Sequence, residues 1–280
     1  MKKKQSAADR LLFGGLFLLS VLFLVPLIVV LINSFKSKFT ILSSPFSFPN
    51  SQTFVGFENY LKGIRTADYA GAFGRSLFIT VGSVLLIVLG SSMTTWYITR
   101  VNNTATRVLY LLFVFSMIVP FQMVMYSMVF TADQLQLNNP IGILVLYLGF
   151  GSGLAVFMFS GFVKSIPLDI EEAAIIDGCK PIQMFFNVVF PILRPIAVTV
   201  AVLNAMWIWN DYLLPYLVLG TDSYKTLPVT IQITMQGAYG SVDWGGFMAM
   251  LVLTIIPIVI FYLSCQKYII KGVVAGAVKG

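Results

Sequence analysis

The strongest constraint in this sequence is a series of apolar runs, each about 20 residues long, separated by short polar stretches. Inside a bilayer no water is present to bond the backbone. A run of that length is therefore expected to form an α-helix, which satisfies its own N–H and C=O groups. The runs span 11–33, 76–98, 108–130, 141–163, 192–213 and 246–269. At about 1.5 Å per residue, each crosses about 30 Å of hydrocarbon. A mean hydropathy of +0.89, with 10% charged residues, agrees. The expected fold class is all-α integral membrane, with six transmembrane helices. No internal repeat or low-complexity linker divides the chain, so a single domain over 1–280 is expected.

The net charge of +7 is spread over short flanks of the apolar runs, where it reads as topology information rather than as a nucleic-acid surface. With the N-terminus inside, twelve of the 18 cations are cytoplasmic: Lys2, Lys3, Lys4, Arg10, Arg100, Arg107, Lys164, Lys180, Arg194, Lys267, Lys271 and Lys279. The other six, Lys36, Lys38, Lys62, Arg65, Arg75 and Lys225, are outside, most of them in a long basic loop over 34–75. Both termini are expected inside, and the 164–191 connection is expected in the cytosol. The first run is too long for a signal-peptide core, and "NSFKSKF" after it is no small-residue cleavage site, so a retained anchor is expected.

Several chemistries are excluded by composition. Without histidine there is no His-ligated metal, no Ser-His triad and no histidine proton relay. Two cysteines, Cys179 and Cys265, are too few for a disulfide framework and read as reduced thiols. No GxxxxGK[ST] motif is present, so the chain is expected to bind no ATP by a P-loop. The spans hold almost no ionisable groups, which speaks against a proton-coupled carrier or voltage sensor. Sodium coupling through backbone carbonyls stays open. A membrane-bound enzyme lacks its nucleophile, base or metal cluster here.

Neutral polar groups do occur in the spans. Gln122 and Tyr126 share a face of the third, and Asn204, Trp207 and Asp211 share a face of the fifth. An amide, an indole and a carboxylate together could bind a polar solute such as a sugar. Equally, Gln122 and Asn204 could glue helices together, with Trp207 and Asp211 at the outer interface. The glycines of "GFGSG", Gly149, Gly151 and Gly153, suit close helix packing or a kink.

One segment departs from its surroundings. Asp169, Glu171, Glu172 and Asp177 are four of the chain's 11 acids, gathered in "DIEEAAIIDG" between the fourth and fifth runs. Asp169 is placed as an N-cap, with Glu172 at N3 in a capping box. Gly178 suits a left-handed C′ stop, and Pro181 suits N1 of a second helix. A helix, a glycine elbow and a second helix along the membrane are expected, with Ile170, Ala173, Ala174 and Asp177 on one face. Interfacial amphipathic helices meet anionic headgroups with Lys and Arg, whereas this one carries acids. A protein partner is the better fit.

These residues closely resemble the EAA loop of ABC importer permeases. Glu172-Ala173-Ala174, three residues, Gly178, nine residues, Val188, one residue and Phe190-Pro191 keep the family spacing, with Val and Phe for the usual Ile and Leu. "WNDYLLP" at 209–215, "KTLPVTIQ" at 225–232 and "AGAVKG" at 275–280 are similar to the smaller permease subunit of maltose-type carbohydrate importers. The resemblance implies the type I ABC importer permease fold and a coupling helix seated on an ATPase. Its docking residues would be Asp169, Glu171, Glu172, Ala173, Ala174, Asp177, Gly178 and Pro191, with Lys279 and Gly280 as further contacts in the tail. It also implies a second homologous permease subunit as heterodimer partner, two ATP-binding cassette subunits carrying ATP and Mg, and an extracytoplasmic sugar-binding protein. The chain itself would bind no cofactor and catalyse no covalent chemistry. The bacterial plasma (inner) membrane is the implied location. An ion-coupled carrier, or an ABC permease for a non-sugar substrate, is the alternative.

Overall fold

A computed structural model describes residues 7–66, 68–234 and 242–277; Lys2, Lys3, Lys4, Lys279 and Gly280 lie outside the described residues. Helices account for the spans: α1 (Ala7–Ser34), α2 (Lys38–Ser43), α3 (Glu58–Thr66), α4 (Tyr69–Arg100), α5 (Thr104–Ile118), α6 (Phe121–Gln134) and α7 (Gly142–Val163). They continue with α8 (Leu168–Ile176), α9 (Pro181–Met184), a π-helical turn (Phe185–Val189), α10 (Phe190–Asn210), α11 (Leu213–Leu219), α12 (Leu227–Thr234) and α13 (Trp244–Ala277). An isolated β-bridge joins Lys36 and Phe54.

Among the described residues five helices are long and apolar enough to cross a membrane, or six if one bent pair counts as a single span. The bent pair corrects the straight third span expected over 108–130. It is α5 and α6, bent by 108° at the break between them. Pro120 is the reason. It has no N–H for the helix ladder, and it drives Val119 before it out of the helical region, to φ −72°, ψ 117°. The fifth span also differs. The helical stretch begins at Pro181 and ends at Asn210, so the second helix after the elbow is continuous with the span. Pro191 and Pro195 each remove a backbone donor on this path. The π turn just before them absorbs the mismatch: the Phe190 N–H donates to the Phe185 carbonyl, five residues back.

The chain sorts into two compact units, 1–69 with 231–256 and 70–230 with 257–280. No linker marks them in the sequence, because α12 and α13 each contribute to both.

In the first unit the loop after α1 is tied down by polar groups. Asn59 Nδ2 donates to the carbonyls of Ser34 and Lys36, both at 2.9 Å, and the Ser34 and Tyr60 hydroxyls meet at 2.7 Å. Lys36 is fully buried, with Nζ donating to the Ser44 carbonyl at 2.9 Å and Ser47 Oγ at 3.3 Å. Burial pushes its ammonium below the usual lysine range. Lys62 pairs with Asp243 at 2.7 Å. The α1 surface is otherwise bare, with none of its apolar window buried. Such a surface is at home only in lipid or against another subunit.

The second unit is built around α7, more than half of whose apolar window is buried. Ile87, Tyr147, Phe159, Phe185, Leu193 and Val200 form its fully buried centre. Two of the three "GFGSG" glycines are contact points. A Cβ on Gly151 would stand 2.5 Å from Ile87 Cδ1, and one on Gly153 would stand 2.7 Å from the Phe113 carbonyl of α5. Gly149 has nothing within 4 Å. Gly153→Ala is therefore expected to destabilise the assembled protein by roughly 1–3 kcal/mol, because a backbone carbonyl cannot swing aside. Gly149→Ala is expected to be neutral or slightly stabilising, through helix propensity. Thermal unfolding of the two variants in the same detergent compares them; equal midpoints would overturn the packing account.

Candidate functional site

The acidic segment forms α8, a helix too short to span, held between the end of α7 and the elbow. Its start differs from the expected capping box. The N-cap is Pro167 and no side chain caps the helix, so Asp169 and Glu171 sit in the first turn and Glu172 lies beyond N3. Proline fixes the entry by its own φ of −58°, and the first-turn acids still meet the positive end of the helix dipole.

The stop is the one the sequence describes. Gly178 has φ +81°. Its N–H donates to the Ile175 carbonyl at 2.9 Å, and the Cys179 N–H donates to the Ala174 carbonyl at 3.0 Å. These two bonds make a Schellman motif. Pro181 then opens α9 at N1, and the Lys180 N–H is capped by Gln183 Oε1 at 3.0 Å.

Packing divides the segment into two faces. Glu171 and Ala174 are buried, while Asp169, Ile170, Glu172, Ala173, Ile175, Ile176 and Asp177 are exposed. Glu171 and Ala174, both expected among the docking residues, face the chain's own core in this structure. Glu171 is gripped by α4: Arg100 Nη2 donates to Oε1 at 2.6 Å, Arg100 Nε donates to the same oxygen at 2.9 Å, and Trp96 Nε1 donates to Oε2 at 3.0 Å. Arg100 also donates to the Ile166 carbonyl at 3.1 Å. Trp96 in turn packs on Phe185 of the π turn, with ring centroids 5.7 Å apart. One network thus joins the end of α4, the base of α8 and the start of the fifth span. The sequence offered no signal for it, since Arg100 and Glu171 lie 71 residues apart.

The outward face mixes isoleucines with carboxylates. Ile176 is 85% exposed, the largest value among α8's leucine and isoleucines. Asp169, Glu172 and Asp177 have no ion-pair partner among the described residues. Pro191 is exposed at the start of α10. Such a surface suits a protein groove that is apolar at its floor and basic at its rim.

The residues expected along a solute pathway part company. Gln122 and Tyr126 are exposed on α6. Asn204 is 4% exposed; its Nδ2 donates to the Val200 carbonyl of its own helix at 2.9 Å, and its Oδ1 presses on Gly151 of α7. Trp207 stacks edge-on with Tyr147 of α7, with centroids 5.6 Å apart, and stays partly exposed. Asp211 accepts from the Tyr147 hydroxyl at 2.9 Å and from the Leu213 N–H at 3.0 Å, capping α11. The face shared by Asn204, Trp207 and Asp211 is the face that packs on α7. For Asn204 and Asp211 the geometry is that of helix glue and a cap. No group of three or more metal-binding side chains occurs among the described residues.

Comparison with known proteins places this geometry in a family. Residues 86–274 match the profile described as "binding-protein-dependent transport system inner membrane component". The chain is 38% identical to the probable starch degradation products transport system permease protein AmyC of Thermoanaerobacterium thermosulfurigenes, over 100% of both chains. It is 36% identical to the multiple sugar-binding transport system permease protein MsmG of Streptococcus mutans, over 92% of this chain and 93% of that one. Among solved structures, a chain of a bacterial ABC transporter involved in import of the acidic polysaccharide alginate matches with a TM-score of 0.76. That match has 20% identity and covers 95% of this chain and 99% of the other, and it supports the fold.

Proposed function

The chain belongs to the family of binding-protein-dependent transport system inner membrane components, and from that premise we propose that it is the permease subunit of an ATP-driven sugar importer, coupled to its ATPase through α8. The observation that carries the coupling is the exposed acidic and isoleucine face of α8, anchored to α4 from beneath and set by the Gly178 elbow. Relatives named for starch products, multiple sugars, and melibiose, raffinose and stachyose support an oligosaccharide substrate.

In this reading Asp169, Glu172, Ala173, Asp177, Gly178 and Pro191 meet the ATPase, with Lys279 and Gly280 adding contacts from the tail. ATP and Mg belong to the two cassette subunits, and a soluble binding protein delivers the sugar. The bare apolar surface of α1 supports a neighbouring subunit or lipid there, in keeping with a heterodimer of two homologous permeases. Both termini lie inside. On the outer side Lys36 is buried and Lys62 is paired, so two of the six outer cations serve the fold, which sharpens the inside excess. The solute-facing candidates narrow to Gln122, Tyr126 and Trp207, whose side chains remain accessible.

Reconstitution with the cognate ATPase and binding protein tests this. ATP-dependent uptake of labelled oligosaccharide is expected. Trp207→Ala is expected to lower it several-fold through the lost stacking surface, of the order of 0.5–1.5 kcal/mol. Accumulation of amino acids or ions in place of sugars would overturn the substrate reading and leave the coupling reading standing.

A further inference from the structure

A second polar site lies away from the exposed face of α8. A cavity of about 450 Å³ opens between the C-terminal ends of α4 and α7 and the first two turns of α5. Arg107, Lys164, Asn102, Thr106, Tyr110 and Leu111 are among its walls, and no carboxylate lines it. Arg107 Nε donates to Asn102 Oδ1 at 3.1 Å, and Lys164 Nζ stands 5.8 Å from the centre of the Tyr110 ring. The Tyr110 and Ser160 hydroxyls lie 3.4 Å apart at the back. Both cations are thus held by neutral groups. Neither has an acidic partner among the described residues, although Arg100 nearby is fully engaged by Glu171.

Two uncompensated charges around a cavity call for an anion. The surface beside the cavity says which kind. Val108, Leu111, Leu112 and Phe115 run along α5 from Arg107 as one exposed stripe, 49%, 63%, 58% and 62% accessible. A free anion would leave that stripe uncovered, whereas a ligand with a charged head and apolar tails fits both parts. We infer that this cavity binds an anionic phospholipid, with the headgroup phosphate between Arg107 and Lys164 and the acyl chains along the exposed face of α5. Only its assignment to the inner leaflet rests on the proposed orientation, through the position of Lys164 at the end of α7 that leads into α8. A bound lipid here would brace the ends of α4, α5 and α7 next to the Arg100–Glu171 clamp.

Native mass spectrometry of the assembled transporter tests this, with phosphatidylglycerol and phosphatidylcholine of matched chains as probes. Preferential retention of phosphatidylglycerol is expected. Arg107→Gln with Lys164→Gln is expected to lower that retention roughly thirtyfold, at about a kilocalorie per cation, with phosphatidylcholine retention unchanged. Arg107→Lys with Lys164→Arg keeps the charge and is expected to keep the lipid, which separates lost charge from lost folding. Equal retention of the two lipids, or full retention by the glutamine variant, overturns the inference. So does displacement by millimolar inorganic phosphate, which would mark a free-anion site. No lipid retained on the assembled complex also overturns it.

Discussion

Replacing Gly178 with Asp is expected to reduce uptake more than tenfold and to release the ATPase, while the chain still inserts and folds. At φ +81° the glycine backbone lies where an L side chain is strained by about 1–2 kcal/mol. A Cβ at this position would meet nothing within 4 Å, so the penalty is conformational rather than steric. Relief comes by rotating the elbow, which breaks the Schellman bonds and re-aims α8 against α9. An interface that depends on that angle loses affinity about tenfold for each 1.4 kcal/mol. A graded series makes the cause visible. Gly178→Asn, the non-glycine residue best tolerated in the left-handed region and without the added charge of Asp, is expected to keep part of the uptake, whereas β-branched Gly178→Val is expected to keep none. If uptake and co-purification of the ATPase both survive Gly178→Asp, the docking account fails.

Removing Glu171 should injure the protein in a different way. Its side chain is 7% exposed and that of Arg100 is 19% exposed, so Glu171→Ala leaves a largely buried guanidinium without its carboxylate. Breaking a buried pair from one side costs about 3–5 kcal/mol. A clear fall in the thermal midpoint of the complex is expected, together with loss of coupled ATPase activity. Arg100→Lys is expected to be nearly as damaging, because one ammonium cannot serve Glu171 and the Ile166 carbonyl as the guanidinium does. The double change Arg100→Met with Glu171→Leu should recover most of the stability, since neither charge is then orphaned. By contrast, Glu172→Lys on the outer face should leave the midpoint alone and abolish uptake. Equal midpoints for Glu171→Ala and the unaltered protein would remove the clamp from the account.

The spans were legible because hydropathy adds residue by residue, and lipid enforces helix wherever an apolar run is long enough. The elbow was legible for a similar reason. Gly178 and Pro181 act through their own backbone dihedrals, which need no distant partner. The break at Pro120 was not legible, and the third run reads as one span over 108–130, because a proline can be absorbed as a kink or can end a helix, and the neighbouring helices decide which.

Direction was the part that the sequence left open. Glu171 and Glu172 are adjacent, chemically identical and equally plausible as contacts for a partner. Each step along a helix turns a side chain by about 100°, so one of the pair faces in and the other out, and only the position of α4 decides which. Arg100 and Trp96, both on α4, claim Glu171 and leave Glu172 free. The same held for Asn204 and Asp211, whose shared face is polar in the sequence and is occupied by α7 in the fold. Local residue properties specify a six-run membrane protein with a glycine-broken acidic peg between its fourth and fifth spans. Packing against distant elements sets which acids anchor that peg and which stay exposed, because a side chain's role depends on what packs against it, and those neighbours come from distant parts of the chain.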